Sequence, residues 1–318
     1  MENLLISWQE FLKGKRKRKD ITEFSLRLMD NIFSIHNDLK DKTYRHGPYE
    51  SFEINDPKTR RIHKAPIRDR LVHHAIHRIL YPFFDRKFIY DSYSCRQNKG
   101  THRAMDRFNS FNRKVSHNHT STAWVLKGDI RKFFANIDHH VLNAILSEYI
   151  YDVDVLWLMS EITSSFCTEG KKNIGLPLGN LTSQLLVNIY MNEFDHFVKR
   201  VLKIRHYIRY ADDFVVVHTD RRYLVSLIPE LGKFLEEKLK LSLHPDKVFI
   251  KTIYSGVDFL GWIHFPHHRI LRTTTKRRIL SKFNTSLSKQ SISSYSGVIR
   301  HGNTHKISLA LAKKLITK

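Results

Sequence analysis

The chain has 318 residues, of which 41% are apolar and 27% charged, and this balance is typical of a folded protein rather than a disordered one. Lys and Arg number 54 against 31 Asp and Glu, and the net charge of +23 favours a polyanionic partner, with nucleic acid as the first expectation. No apolar run approaches the roughly 20 residues that cross a bilayer, so we expect no membrane partner.

The start of the chain and its two cysteines predict a cytoplasmic protein. The first residues lack the basic start, apolar centre and small-residue cleavage site of a secretory signal. Cys95 and Cys167 form neither a disulfide framework nor a zinc-ligand spacing, as expected in a reducing compartment.

A dense basic run interrupts the polar, helix-like pattern of the first 50 residues at positions 13–19. Such a run either binds RNA phosphates or forms a solvated surface, and the charge of this chain favours RNA binding. The RNA-binding residues predicted here are Lys15, Arg16, Lys17 and Arg18. Residues 49–67 then predict a basic β-hairpin around the turn formers Asp56 and Pro57, and apolar pairs predict a helix over residues 69–84.

The middle of the chain alternates strand-like and helix-like patterns. A short buried strand is predicted over residues 123–130, a helix capped by Asp138 follows, and a second helix spans residues 183–203. Two apolar strands over residues 204–218 form a tight hairpin, followed by a third helix near 224–235 and further strands over 248–263. The tail from Leu271 is basic and helical. This order predicts an α+β fold with helices on one face of a sheet.

Three carboxylates end strands in this pattern. Asp212 and Asp213 form the tip of the hairpin, and Asp129 ends the earlier strand, so the sheet can bring them together. Adjacent carboxylates repel, and hard oxygen ligands without Cys or His favour Mg²⁺, with Mn²⁺ as an alternative. Two ions about 4 Å apart would activate a 3′-hydroxyl and stabilise a leaving pyrophosphate. Each carboxylate alone could equally be a helix cap or a turn residue, but their order and setting favour a two-metal site.

The segment over residues 60–262 resembles the reverse transcriptases of bacterial retroelements. Five ordered motifs carry the resemblance: the fingers hairpin and the helix start after it (residues 60–70), the first catalytic strand (128–134), the catalytic hairpin (210–213), the segment with an active-site lysine (243–247) and the primer-grip hairpin (259–262). The resemblance implies an RNA-directed DNA polymerase that uses a template RNA, a DNA or RNA primer and deoxynucleoside triphosphates. It implies a right-hand fold with an N-terminal extension and fingers over residues 1–119, a palm with an embedded fingers segment over 120–262, and a short helical thumb over 263–318.

The resemblance also implies roles for individual residues. Basic residues of the fingers would clamp the triphosphate or, individually, hold template phosphates. Phe134 would exclude a 2′-hydroxyl, with Phe133 beside it in the core. By role, catalysis falls to Asp129, Asp212, Asp213 and Lys247; the two metal ions to Asp129, Ile130, Asp212 and Asp213; nucleotide binding to Arg61, Lys64, Arg68, Phe134 and Leu178; and the primer grip to Tyr210, Phe259, Leu260, Gly261 and Trp262.

Residues 174–184 depart from the common family pattern. Leu178 stands where most reverse transcriptases have glutamine, and Gln184 where most have proline. This variant, and less specifically residues 294–303, resembles the enzymes of diversity-generating retroelements, which copy adenines with frequent errors and act with a small basic accessory protein. An apolar Leu178 cannot donate a hydrogen bond to the incoming nucleotide, so we expect lower fidelity.

Other interpretations remain open at this point. Within the class, the chain could be a retron-like, group II intron-like or antiphage-defence reverse transcriptase, encoded by a bacterium or a phage. Outside it, the chain could be a catalytically inactive RNA-binding protein. The intact Asp129, Asp212 and Asp213 argue against inactivity.

Overall fold

The computed structural model describes residues 1–55, 59–284, 289–305 and 307–309. Its N-terminal part is helical, as the sequence predicts, because Leu4, Trp8 and Phe11 recur at helical spacing and are buried together. These side chains pack α1 onto the long α4. The helices of this part are α1 (Glu2–Phe11), α2 (Lys19–Leu26), α3 (Leu28–Lys40) and α4 (Ile67–Asp85).

The predicted basic hairpin, which we assign to the fingers, is present. Strands β1 (Glu50–Asn55) and β2 (Thr59–Lys64) pair antiparallel, with Phe52 opposite Ile62. The predicted turn at Asp56 and Pro57 lies outside the described residues. The two strands of this hairpin are mainly exposed, and α4 follows them in the sequence.

A four-stranded antiparallel sheet forms the centre of the predicted palm, in the order β4-β5-β3-β6. Strand β5 is apolar from Phe214 to Val217, as expected of a strand that is covered on both faces. Their bounds are β3 (Trp124–Asp129), β4 (Tyr207–Tyr210), β5 (Asp213–His218) and β6 (Phe249–Thr252).

Helices cover both faces of this sheet, so the prediction of helices on one face is wrong. Alternate strand residues point to opposite faces, and Phe214 and Val216 pack with α8 and α9 while Val215 and Val217 pack with α5. Asp138 caps α6 as predicted, accepting hydrogen bonds from two backbone N–H groups. The helices are α5 (Thr101–Val115), α6 (His139–Tyr149), α7 (Val153–Ser164), α8 (Leu181–His196) and α9 (Arg221–Leu239).

A second, three-stranded antiparallel sheet joins the palm to the C-terminal helices, in the order β7-β8-β9. Trp262 packs with residues of α5, α10 and α11 in one buried cluster, and the predicted helical tail is confirmed in its described part. No helix in the described ranges is long and apolar enough to span a membrane. The elements are β7 (Val257–Phe259), β8 (Trp262–His264), β9 (Arg269–Leu271), α10 (Thr273–Asn284) and α11 (Lys289–Ile299).

Close packing requires glycine at position 128, directly before Asp129. Gly128 lies opposite Phe214 in the β3–β5 pair. A Cβ atom at this position would lie 2.2 Å from Cζ of Phe214, whose ring is buried. Because interiors are packed densely, this ring cannot move without displacing its neighbours.

We predict that Gly128→Ala lowers the free energy of unfolding by about 1–3 kcal/mol, because the added methyl overpacks the sheet. Gly232→Ala, in α9, is the matched control. A Cβ at position 232 would lie 3.7 Å from its nearest neighbour, Cδ1 of Leu243, which is an ordinary contact distance. Alanine is the better helix former, so the control should be neutral or more stable by up to about 1 kcal/mol. Chemical denaturation of both variants measures the difference, and equal stabilities would contradict the packing argument.

Candidate active site

The strand register brings the three predicted carboxylates together. Asp129, the last residue of β3, lies directly opposite Asp213, the first residue of β5. Asp212 occupies the turn before Asp213, and its backbone carbonyl accepts a hydrogen bond from the N–H of Ile130 at 3.2 Å. Ala211 adopts the left-handed conformation with φ of 55°, which makes the turn tight. All four predicted metal-binding positions therefore meet at one end of the sheet.

Two lysines pair with these carboxylates. Nζ of Lys247 lies 2.8 Å from Oδ1 of Asp129, as suits the predicted active-site lysine. Nζ of Lys127 lies 3.2 Å from Oδ1 of Asp213, and its side chain is only 9% exposed. Lys127 was not predicted from the sequence, although a lysine inside an apolar strand, two residues before Asp129 and on the same face, is a detectable signal.

Burial makes ionisation of the hairpin carboxylates costly. Burial raises the pKa of Asp212 to about 6, and the negative charge of Asp213 adds to the effect. Burial also raises the pKa of Asp213, while the neighbouring Lys127 ammonium opposes the rise. A cation bound between these groups would relieve the repulsion, so the site favours positively charged ligands.

The donor set fits hard divalent cations, although no metal-binding group is fully assembled. Within the described ranges, no three His, Cys, Asp or Glu side chains are arranged so that they could hold an ion. Lys247 contacts one carboxylate oxygen of Asp129, and Lys127 contacts one carboxylate oxygen of Asp213. An ion bound here must therefore compete with the two ammonium groups or use the remaining carboxylate oxygens. Carboxylates without nitrogen or sulfur ligands are the preferred ligands of Mg²⁺.

A buried ion pair supports the catalytic turn from within the protein. Arg209 is fully buried, and its guanidinium donates to both carboxylate oxygens of Asp195 at 2.8 and 2.7 Å. The same guanidinium donates to the backbone carbonyl of Ala211 at 3.1 Å. The hydroxyl of Tyr207 donates to Asp195 at 2.7 Å. This pair was not predicted from the sequence, although an arginine within the short apolar strand β4 is a signal for it.

The three predicted triphosphate-binding cations of the fingers each have an acidic partner. Arg61 is 61% exposed and lies 3.8 Å from Glu169, the longest of these pairs. Lys64 contacts Asp20 and Glu50 at 3.3 and 3.4 Å. Arg68, in α4, pairs with Asp38 and with the buried Asp69. Arg61 is thus the most accessible of the three, and their role in nucleotide binding stays a prediction.

Phe134 and Leu178 lie on neighbouring segments, since the carbonyl of Phe134 accepts a hydrogen bond from the N–H of Leu176 at 2.8 Å. Phe134 is half-buried, and its ring meets the buried ring of Phe133 edge-on at 5.6 Å, so Phe133 has the expected core position. The carbonyl of Leu178 accepts a hydrogen bond from the N–H of His63 in β2 at 2.9 Å. The amide of Asn180 donates to the carbonyl of the same histidine at 2.9 Å. The loop with Leu178 is thereby fixed to the fingers hairpin.

Gln184 lies near the N-terminal basic run. It lines a cavity of about 360 Å³ together with Lys15 and Arg18, next to the fingers hairpin. Lys15 is half-buried with Nζ 4.2 Å from the centre of the Phe11 ring. The other RNA-binding candidates, Arg16 and Lys17, are exposed. The structure thus places one side of the predicted fidelity segment beside the predicted RNA-binding residues.

The predicted primer-grip residues form the β7–β8 hairpin. Leu260 and Gly261 occupy its tip with positive φ angles of 52° and 85°. Phe259 and Trp262 are buried below the tip and hold the hairpin to the palm and to the C-terminal helices. Tyr210 lies beside this hairpin in the same cluster as Leu260. Leu260, Gly261 and Tyr210 are half-buried, and their role in gripping a primer stays a prediction.

Comparison with known proteins agrees with this geometry. The chain is 26% identical over 293 residues to Protein YkfC of Escherichia coli (strain K12), covering 80% of this chain and 75% of that protein. It is 24% identical over 302 residues to the group II intron-encoded protein LtrA of Lactococcus lactis subsp. cremoris, covering 73% of this chain and 49% of LtrA. The chain thus spans about half the length of LtrA.

Solved structures show the same fold. Telomerase from Candida albicans, in complex with a fragment of telomeric RNA, matches with a TM-score of 0.52 and 12% identity, over 77% of this chain and 51% of that chain. Apo telomerase from Candida tropicalis matches with a TM-score of 0.54 and 11% identity, over 70% of this chain and 48% of that chain. The predicted polymerase fold, with mixed helices and strands, is confirmed.

A family model supplies the assignment. The model described as reverse transcriptase (RNA-dependent DNA polymerase) matches residues 53–264, which is more than half of the chain and includes all three carboxylates of the site. Reverse transcriptases use divalent metal ions, an RNA template and nucleotide substrates. The chain belongs to the reverse transcriptase family of RNA-dependent DNA polymerases.

Proposed function

We propose that the chain is a catalytically active polymerase that copies a template RNA into DNA from a DNA or RNA primer. The observation that carries this proposal is the register of β3 and β5, which sets Asp129 opposite Asp213 with Asp212 beside them. Buried, mutually repelling carboxylates on rigid strands are costly to maintain. These carboxylates would destabilise an inactive RNA-binding protein without contributing to its binding, because RNA binding needs cations and exposed hydrogen-bond donors.

The proposed cofactors are two Mg²⁺ ions, for which Mn²⁺ can substitute, and the residues that would hold them are Asp129, Ile130, Asp212 and Asp213. Bound at this site, divalent ions supply activation of the primer 3′-hydroxyl and neutralisation of the leaving pyrophosphate. Lys247 is 41% exposed and hydrogen-bonds Asp129, so its ammonium group stays accessible to a phosphate at the same site. We assign Lys247 the stabilisation of negative charge on the leaving group.

Nucleotide selection is assigned to the junction of palm and fingers. Arg61, Lys64 and Arg68 would bind the triphosphate after exchanging their present acidic partners for phosphate oxygens. Phe134 presents a partly exposed ring five residues after Asp129. We propose that this ring packs under the sugar and excludes a 2′-hydroxyl, so that deoxynucleotides are preferred.

The finer proposal is that the enzyme belongs to a diversity-generating retroelement and makes errors at template adenines. Leu178 supports it, because its apolar side chain replaces a hydrogen-bonding one on a loop fixed to the fingers. Gln184 supports it by its place beside Lys15 and Arg18, which we assign with Arg16 and Lys17 to RNA binding. A small basic accessory protein and a cytoplasmic, bacterial or phage setting belong to this proposal. The alternative is a group II intron-like enzyme, as the similarity to LtrA suggests.

The polymerase proposal predicts that Asp129→Ala and Asp212→Ala each reduce Mg²⁺-dependent primer extension by at least about 100-fold, because the charge that holds the ions is lost. RNA affinity should change little. Asp30→Ala, which removes an exposed carboxylate on α3, is the control and should extend primers normally. Extension of a labelled primer on an RNA template measures the effect, and near-normal extension by either active-site variant would refute the assignment.

Stability against pH gives a second prediction. Because the folded protein raises the pKa of Asp212 to about 6, it binds this proton more tightly than the unfolded chain does. Without divalent ions, stability is therefore lost as the pH rises through about 6. Asp212→Asn should avoid this loss and raise the unfolding temperature in EDTA at about pH 8, with little difference below about pH 4.

Added Mg²⁺ supplies the complementary measurement for the same variant. Ions that bind only the folded state stabilise it, so Mg²⁺ should raise the unfolding temperature of the unmutated protein more than that of Asp212→Asn. Thermal unfolding followed by circular dichroism, in EDTA and in Mg²⁺, gives both comparisons. A variant that is less stable than the unmutated protein in EDTA at alkaline pH would contradict the proposed charge repulsion.

Leu178→Gln should lower errors opposite template adenine more than errors opposite the other bases, without abolishing synthesis. A regained hydrogen bond widens the gap between correct and incorrect insertion, and each 1.4 kcal/mol is about a tenfold change in relative error. An adenine pair has two hydrogen bonds, so it gains most from added support. Leu26→Gln, at an 81% exposed position on α2, is the matched control.

Sequencing of the cDNA made on one RNA template by the three proteins measures these error rates. Frequent errors at adenine in the unmutated enzyme, reduced only by Leu178→Gln, would support the diversifying function. Uniform, low error in the unmutated enzyme would reject it and favour the group II intron-like alternative.

A further inference from the structure

A basic cleft lies outside the three-carboxylate site. It forms where the second half of α5 meets the turn between β8 and β9 and the segment that follows α11. Its volume is about 630 Å³, within the range of pockets that accept small ligands or parts of larger ones. The side chains with ionisable groups that line it are Arg113, His119, His267, His268, Arg269 and His301.

One of the two arginines of this cleft has an acidic partner and the other has none in the part of the chain described. Asp106, in the adjoining groove along α5, pairs with Arg269 at 3.2 Å and is 67% exposed. Arg113 is exposed, contacts the side-chain oxygen of Asn118 at 3.5 Å, and makes no ion pair with a carboxylate in the part of the chain described. A free guanidinium in a concave surface is a binding group for phosphate.

Flat rings and amides accompany this charge. The rings of Phe265 and His268 stack at 4.9 Å with an interplanar angle of 13°. His267 is exposed on the same turn, and its ring meets that of His119 edge-on at 4.9 Å. Side-chain amides of Asn109, Asn118 and Asn303 complete the lining. Rings that stack on bases, amides that bond base edges and a cation for phosphate are the features that recognise unpaired RNA.

The catalytic turn lies at the start of α5, whereas the residues of α5 that line the cleft belong to its second half, and the lining residue His301 reaches back to stack on the ring of His102. The hydroxyl of Thr101, at the first residue of this helix, contacts the hydroxyl of Tyr210 at 3.1 Å. Asn109 and Arg113 follow farther along the same helix, which corresponds to about 12–18 Å along its axis. Beyond the helix end, the carbonyl of His119 accepts a hydrogen bond from Tyr254 at 2.7 Å. A nucleotide at the catalytic carboxylates would therefore not fill the cleft.

We propose that this cleft binds an unpaired segment of RNA outside the active site, through a phosphate at Arg113 and bases on the rings of His267 and His268. The choice of RNA rests on the proposed polymerase function, since the net charge alone would suit other polyanions. The cleft is thus a second RNA-binding site, separate from the site that binds the paired template and primer.

The test uses the full chain saturated with an unlabelled, short template–primer duplex, to which a labelled oligouridine RNA is added. Fluorescence anisotropy should detect binding of this second RNA. Arg113→Gln/His267→Gln/His268→Gln should weaken it about tenfold and lower its salt dependence, by about 0.7 in the log–log slope for each phosphate that the variant no longer neutralises. Arg222→Gln/Lys238→Gln, at exposed positions of α9, is the control and should bind like the unmutated protein.

Four results would overturn the proposal. These are no binding of the second RNA by the saturated unmutated protein, equal binding by the cleft variant, equal weakening in the α9 control, or equally effective competition by a blunt RNA duplex. The unfolding temperature of the cleft variant serves as the check on folding, since all three of its changes are on the surface. The assay requires no extension, so a failure of the polymerase proposal would be seen separately, as an inactive enzyme that still binds the second RNA.

Discussion

The antiparallel register of β3 and β5 is the constraint on which the rest of the site depends. It sets Asp129 opposite Asp213 and, one step before, Gly128 opposite Phe214. A shift of one residue would move every side chain of β3 to the other face of the sheet, so the two buried clusters resist it. The ring of Phe214 fills the space that a side chain at position 128 would need. Core packing therefore fixes the position of the carboxylates more firmly than any direct contact between them.

The electrostatics of the site follow from this enforced proximity. Lys127 and Lys247 lie beside the carboxylates, while Arg209 lies under the turn and binds Asp195. Burial of an ion pair such as Arg209 with Asp195 yields little stability, because both groups lose their hydration. What the pair supplies is a fixed hydrogen bond to the carbonyl of Ala211, next to Asp212. The turn is thus held rigid by groups that do not need to touch a substrate.

The sequence was sufficient to predict the parts of the site that are local. The strands before Asp129 and around Asp212, the cap at Asp138 and the fingers hairpin each have a pattern readable within about ten residues, and all were predicted. The partnership of Arg209 with Asp195 joins two elements through the interior, and no local pattern names the partner. Helix α5 was missed although its apolar residues recur at helical spacing opposite a polar face, which is the pattern that predicts an amphipathic helix. Strand β9 has only three residues, too few for a periodic signal.

The same helix, α5, determines how the active site relates to the rest of the surface. Its apolar stripe packs on one face of the central sheet. Lys127, Asp129 and Asp213 lie on the same face, because alternate residues of β3 and β5 point to the same side. The first residue of α5 contacts Tyr210, and the second half of the helix lines the basic cleft. A helix that is anchored by buried residues over its whole length keeps its two ends at a fixed distance, because hydrogen bonds fix its rise at about 1.5 Å per residue. The spacing between catalytic turn and cleft is therefore a property of the folded chain, and RNA that engages both must span it.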